Sequence, residues 1–417
     1  MTRSMSLNPA PAVAATRTGP GRLAGSRRHG AGFWLIACAF LTAMAFTTVP
    51  APLYSLYMAR DGFSTFMVTV VFAVYAVGVV ISLLLAGHVS DWAGRKNMMT
   101  AGLVLELAAA AAFLSGLSLP VLLAARLVSG LGVGMITATA TAHLQELHSA
   151  GRPAASGQRF ELVSTAANIG GLGAGALVSG FLAQWVSGPL RTPYLVFAVL
   201  LALAVAAVAL TPETVGKPPA RPAYRPQRIS LNHGNRAGYL VAAASGFAAF
   251  AVFGLFTSVA PGFVAGTLHH PSRALAGLTV FAVFGAAAAA QSLTGRLPAA
   301  ARRGLGLLVM AAGLVVLVAG MAAASLGLFL AGGIIAGAGA GVLFKAAVGS
   351  VAAMAAPSRR GEALAGIFLI AYLGLTVPVI AIGVATLSFA TVTVMAWFAG
   401  ILLVLLAGVA VLARRTR

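Results

Sequence analysis

ETVGKPPARPAYRPQRISLNHGNRA, residues 213–237, is the longest polar stretch between apolar ones in the chain. Its Pro and Arg residues oppose both helix and burial, so it reads as a linker. Outward from it on either side the sequence becomes apolar in blocks. Six precede it, near 32–57, 66–90, 97–117, 119–143, 160–186 and 191–212, and six follow, near 238–264, 274–296, 304–323, 325–356, 363–387 and 389–413. Each has about the 20 residues that a helix needs to cross a bilayer's hydrocarbon core. The expected fold is an all-α membrane protein of twelve transmembrane helices in two six-helix halves, 32–212 and 238–413, with tails at 1–31 and 414–417.

Composition agrees. Of the 417 residues, 60% are hydrophobic and 8% charged, which water as the main solvent would not favour. The net charge of +20 raises the question of nucleic acid, but the charges are scattered among short segments and build no basic face. No nucleic-acid partner is expected, and the bilayer is the first partner. The single cysteine, Cys38, excludes an intrachain disulfide. The Arg-bearing, acid-free start of the chain reads as a cytoplasmic tail, because the apolar block behind it is long enough to span and ends in no small-residue cleavage site.

Orientation follows from the basic residues. With both termini in the cytoplasm, 22 of the 27 Lys and Arg lie on that side, Arg60, Arg191 and Arg273 face outward, and Arg126 and Lys345 lie within spans. The expected location is the cytoplasmic membrane of a bacterial-type cell, and the expected state a monomer.

The two halves repeat. VFAVY at 71–75 returns as VFAVF at 280–284, Gly130, Gly132 and Gly134 return as Gly337, Gly339 and Gly341, and TTV at 47–49 as TSV at 257–259. GQRFELVSTAANIG at 157–170 is similar to GEALAGIFLIAYLG at 361–374, which matches Asn168 with Tyr372. The matches occur in order, as in transporters whose pseudo-symmetric halves enclose a midplane site.

Between the second and third blocks stands Gly87-His-Val-Ser-Asp91-Trp-Ala-Gly94-Arg95-Lys96. It resembles the G-x-x-x-D-R/K-x-G-R/K-R/K signature of the major facilitator superfamily, with Trp92 in place of a basic residue. The resemblance implies a conformational-switch loop in which Gly87 lets two helices approach, Asp91 accepts hydrogen bonds from a facing helix end, and Arg95 and Lys96 anchor the loop at the leaflet. The second-half counterpart, Gly295 to Arg303, carries basic charge alone.

Arg126-Leu-Val-Ser-Gly130-Leu-Gly132 in the fourth block resembles the superfamily's R-x-x-x-G-x-G element. A cation at that depth needs a partner or a water-filled cavity. Either Arg126 faces a central cavity, where it couples protonation or holds an anionic part of the cargo, or it snorkels to the outer interface. Glu106, the carboxylate deepest in any span, is the expected partner across the hairpin and the candidate for carrying a proton; the competing reading is a neutral packing residue. Gly171, Gly175 and Gly180 with Ala176 and Ser179 resemble the antiporter element G-x-x-x-G-P-x-x-G-G, and equally the small-residue spacing of close helix packing.

In the superfamily's fold helices 1, 4, 7 and 10 line the path. That implies Thr47, Thr48 and Tyr54 around Pro50 and Pro52, Thr137, and the stripe Phe247, Phe250, Phe253 and Phe256 as cavity candidates, with Asn168 and Tyr372 beside them. Lys345 could snorkel. His143, Glu146 and His148 read as a solvated helix end and not a metal site.

No metal or cofactor is expected. The functional expectation is secondary transport of a small molecule by alternating access, more specifically proton-driven export of hydrophobic or drug-like compounds; uptake or facilitated diffusion of a metabolite is the alternative. Primary transport lacks its G-x-x-x-x-G-K-[ST] loop, and a membrane-embedded enzyme its convergent His, Asp, Glu or Ser set.

Overall fold

Hydrocarbon offers no partner to a backbone N–H or C=O, so a chain this apolar must pair those groups within each segment. The computed structural model describes residues 20–116, 118–153, 155–216, 224–227, 235–356 and 359–415. Parts of the expected tails and of the 213–237 linker lie outside them. Twelve helices among the described residues are long and apolar enough to cross a membrane. In order they are α1 Arg27–Asp61, α2 Thr65–Ala86, α3 Arg95–Ser115, α4 Leu119–Gly151, α5 Gln158–Trp185 and α6 Thr192–Ala209, then α7 Arg236–Gly266, α8 Arg273–Leu293, α9 Ala299–Ala322, α10 Leu326–Met354, α11 Arg360–Ala385 and α12 Thr391–Arg415.

Several boundaries differ from expectation, and two of the differences change the reading. The second block ends at Ala86, and Ser90–Ala93 forms a separate helical turn before α3. Helix α4 runs on to Gly151, well past residue 143. His143, Leu144, Leu147 and His148 are all buried there, and the Phe33 ring of α1 lies 5.7 Å from that of His148. Packing therefore carries the helix through a segment whose polarity suggested its end, and the expected solvation of His143 and His148 is corrected.

Three helices depart from regular geometry. In α1, Pro50 and Pro52 withhold two N–H groups, and a 3₁₀ turn at Ala51–Leu53 divides the span. A π-helical segment interrupts α5 at Ala166–Gly170 and another interrupts α7 at Leu255–Val259. The α5 distortion sits just before the glycine-rich element in which Ala176 replaces proline, so that helix is irregular without one.

Without hydrophobic attraction between helices, close approach rests on small residues. A Cβ on Gly130 would strike the Tyr75 carbonyl of α2, and one on Gly134 would lie 2.6 Å from Ser82 Cβ. Gly132, on another side of α4, would meet the Gly102 carbonyl of α3 at 2.7 Å. The second half repeats this: Gly337 and Gly341 press on Val283 and Ala287 of α8, while Gly339 presses on Met310 of α9. Gly171 and Gly175 face Leu41 and Ala45 of α1.

Gly180 lies across the boundary between the halves, where a Cβ would come 3.1 Å from Gly277 Cα of α8. Beside it the Arg273 N–H donates to Gln184 Oε1 at 2.9 Å, and the Arg273 guanidinium to the Ala183 carbonyl at 3.2 Å. These contacts join the halves at the face away from the linker. At the linker face Lys345 of α10 reaches Glu161 of α5 at 3.2 Å, and also donates to the Gln291 carbonyl. Lys345 thus has protein partners at this face, Glu161 and the Gln291 carbonyl.

The crossings differ in tolerance. Gly130→Ala should destabilise the detergent-solubilised protein by about 1–3 kcal/mol through overpacking, whereas Gly285→Ala, with nothing within 4 Å, should be neutral in the same thermal-melting comparison.

Candidate functional site

A cavity opens between the halves. The first half contributes Thr47, Thr48 and Tyr54 of α1, Phe72 and Tyr75 of α2, Arg126 and Thr137 of α4, and Asn168 and Leu172 of α5. From the second come Phe250, Phe253 and Thr257 of α7, Phe284 of α8, Phe344 of α10, and Phe368, Tyr372 and Leu375 of α11. Of the cavity candidates of the sequence, Thr47, Thr48, Tyr54, Thr137, Asn168, Phe250, Phe253 and Tyr372 line this one space and Arg126 joins them, whereas Phe247 and Phe256 do not line it.

Repeat-matched positions meet here. Thr47 and Thr257, Tyr75 and Phe284, Thr137 and Phe344, and Asn168 and Tyr372 each stand at equivalent places in the two halves, and all eight residues line the cavity. Family analogy missed Tyr75, Phe284, Phe344 and Thr257, although the repeat pairs each with a residue or motif already singled out. Phe72 and Phe368 fall inside the repeated stretches, but their partners Phe281 and Ser164 do not line the cavity, and Leu375 lies outside those stretches. The Phe stripe divides because steps of three residues rotate by about 60° relative to the helix period, so four such residues cannot share one face. Phe256 is buried against Phe329, with ring centres 5.9 Å apart.

The break in α1 positions the one charge on the cavity wall. Thr47 and Val49 precede the prolines, and their carbonyls accept from side chains of other helices: Thr47 from Arg126 at 2.8 Å, Val49 from Ser179 at 2.7 Å. Thr48 in turn donates to the Leu172 carbonyl at 2.6 Å, which ties the break to α5. The Arg126 guanidinium lies over the Tyr75 ring at 4.6 Å and near the Phe72 ring at 5.8 Å, cation–π geometry in both cases. It is 2% exposed, and its Nε has no hydrogen-bond partner.

The expected pairing of Arg126 with Glu106 is not formed. Glu106 is fully buried and accepts from Ser129 at 3.2 Å, in the seam where Gly132 leaves room for its carboxyl. Ser129 lies three residues beyond Arg126, only about 60° round α4, yet it turns into the α3 seam while Arg126 turns toward α1 and the cavity. Glu106 is not among the residues lining the cavity.

The loop at 87–96 holds together by other contacts than the resemblance implied. Asp91, with its side chain 65% exposed, accepts from Arg95 of its own loop at 2.6 Å and not from a facing helix end. Glu213, at the start of the linker, has that role, accepting from the Arg95 and Lys96 N–H groups at 3.0 and 3.1 Å. A carboxylate at a helix N-terminus is favoured by the unpaired N–H groups and the dipole. Gly94 adopts φ +97°, which is why glycine is required there; a Cβ would also come 2.5 Å from Glu213 Oε2, at the movable end of that side chain.

Arg95 also binds Glu146 of α4 at 3.0 Å, and Glu146 accepts from Thr214 at 2.5 Å. Lys96 donates to the Ala209 carbonyl at the end of α6, a favourable place for a cation. The basic pair is therefore engaged by protein partners. Gly87 lies closest to Leu83 of its own preceding turn. His143 Nε2 meets the Pro212 carbonyl at 3.2 Å, and no group of three metal-binding side chains occurs among the described residues.

Comparison with known proteins places this geometry. Residues 35–298 match the sequence model described as Major Facilitator Superfamily. A 157-residue stretch is 31% identical to the uncharacterized MFS-type transporter Rv1250 of Mycobacterium tuberculosis, covering 37% of this chain and 27% of that protein. The chain thus spans about a quarter of that relative's length. The human organic anion transporter MFSD10 (TETRAN) superposes with a TM-score of 0.66 at 15% identity, covering 91% of this chain and 99% of that one. A mutant of the nucleoside transporter NupG superposes with 0.71 at 13% identity, covering 92% and 99%.

The loop contacts rank its two acids. Because Glu146 is the less exposed partner of Arg95 and also holds Thr214, Glu146→Gln should cost about 1–2 kcal/mol of stability, and Asp91→Asn under about 1 kcal/mol. Thermal melting in detergent checks the order.

Proposed function

The chain belongs to the Major Facilitator Superfamily, and from that premise we propose that it is a secondary transporter that moves a small hydrophobic or drug-like compound by alternating access, as a proton-coupled exporter. The observation that carries this reading is the cavity built jointly by the two halves, with rings on much of its wall and Arg126 as its formal charge. A site shared by two pseudo-symmetric bodies opens to either side when they rock about it.

A second, smaller cavity supports the path. Tyr54 lines both; the smaller one is walled by Met58, Val68, Ser258, Gly262 and Thr391 near the face away from the linker. In the proposed orientation both termini and the 213–237 linker are cytoplasmic in a bacterial-type membrane, as the basic residues favour, and the smaller cavity faces outward. The protein works as a monomer, since one chain supplies both walls.

Superfamily members of this fold carry unlike cargoes, organic anions in one neighbour and nucleosides in another. Fold alone therefore selects none. Facilitated passage without proton coupling is the second reading, favoured by the placement of Glu106 off the cavity wall.

Flux in proteoliposomes with and without an imposed pH gradient separates the two. Export by proton exchange requires a rise in substrate flux of about tenfold when the gradient is imposed, lost in Glu106→Gln while uncoupled exchange persists. Equal flux with and without the gradient would establish facilitation. Asp91→Asn should slow either mode without affecting membrane insertion.

A further inference from the structure

We infer that the cavity selects a compound with an aromatic body and a single negative charge, held with its acid group on Arg126 and Tyr54 and its ring among the phenylalanines of the second half. The inference rests on the transport reading and adds the charge, chemistry and orientation of the cargo.

The argument starts from an incomplete site. A buried guanidinium is costly unless a counter-charge or a full set of acceptors surrounds it. Arg126 is 2% exposed, yet the hydrogen bond found for it is one to the Thr47 carbonyl, and no ion pair among the described residues includes it. Its Nε has no acceptor, and neither does the buried hydroxyl of Tyr54, 4% exposed on the same wall. Both atoms can donate. What would satisfy them together is an acceptor, and charge balance at the guanidinium makes that acceptor anionic. Glu106 cannot serve, because Ser129 and Gly132 hold it in the seam between α3 and α4.

The opposite wall differs. Phe250 packs on Phe344 with ring centres 4.8 Å apart and on Tyr372 at 5.5 Å, and Phe253 stacks on Phe284 at 4.8 Å. No charged residue of the second half lines the cavity. A ligand that spans the space therefore meets a donor pair on one side and ring faces and edges on the other, which suits a planar aromatic acid. A cation would place like charge against Arg126, and a neutral ring would leave the donors unsatisfied.

Three probes of one shape test this on the purified full chain in detergent: 1-naphthoate, 1-naphthalenemethanol and 1-naphthalenemethylammonium, titrated by calorimetry. Naphthoate should bind about tenfold or more tighter than either isostere. Arg126→Gln should erase that preference and leave the alcohol's affinity in place; Arg126→Lys, which keeps the charge and loses the planar fork, should retain part of it. Tyr54→Phe should weaken naphthoate by about threefold. Should Arg126→Gln fail to fold by size-exclusion chromatography, the comparison of probes on the unaltered protein and the Tyr54→Phe result still decide. Equal affinity for all three probes, or naphthoate binding unchanged in Arg126→Gln, overturns the inference. Proteoliposome flux of the same compounds separates it from the transport reading. Naphthoate that binds with this selectivity but is not carried refutes transport and leaves the site, whereas flux without charge preference refutes the site and leaves transport.

Discussion

The demand that every backbone polar group find a partner inside an apolar medium governs this molecule. Regular helices meet it unaided. Where the helix of α1 is broken by Pro50 and Pro52, side chains from other segments meet it instead, Arg126 at the Thr47 carbonyl and Ser179 at that of Val49. The repair brings α4 and α5 onto α1 and aims polar atoms at the space beside the break. The π-helical segments of α5 and α7 flank the same space with Asn168 and Thr257. Irregular backbone at membrane depth is tolerated where it lines a cavity, and the three irregularities here all do.

A second constraint is steric. Gly130 and Gly134 against α2, and Gly132 against α3, make α4 the hub of the first half; Gly337, Gly341 and Gly339 do the same for α10 in the second. The close contact of α4 with α3 also creates the recess for the Glu106 carboxyl, so packing and the placement of the one deep acid share a cause. On the linker face the same economy recurs in polar form: Arg95 joins the 87–96 loop to α4, while Glu213 and Lys96 join the start of α3 to the end of α6.

Much of this was legible in the sequence, for a physical reason. Hydropathy reports directly on the solvent, so the twelve spans could be read from it, and duplication leaves matching positions that point to one site, as Asn168 and Tyr372 do. What could not be read depends on direction around a helix axis. Arg126 and Glu106 are close in depth but leave α4 and α3 toward different neighbours, and depth alone does not distinguish them. The role given to Asp91 belongs to Glu213, 122 residues further along the chain, because the capping of α3 is decided by where the linker begins its course. Likewise the polar end of α4 is buried by α1, which no local pattern announces.

The lone guanidinium on the cavity wall has an electrical meaning. Arg126 lies about 10 Å along α4 from Leu119 at 1.5 Å per residue, within the region across which a membrane potential falls. Moving one elementary charge through the whole of that field is worth about 2.3 kcal/mol per 100 mV. In the proposed cycle, a monoanion seated on it would make the wall neutral and leave voltage little hold on the loaded transition. Empty, the wall would present a net positive charge, on which the field would act during the return. A resting potential, negative inside, would then draw the unoccupied carrier toward one of its two forms and set where it waits for its next passenger.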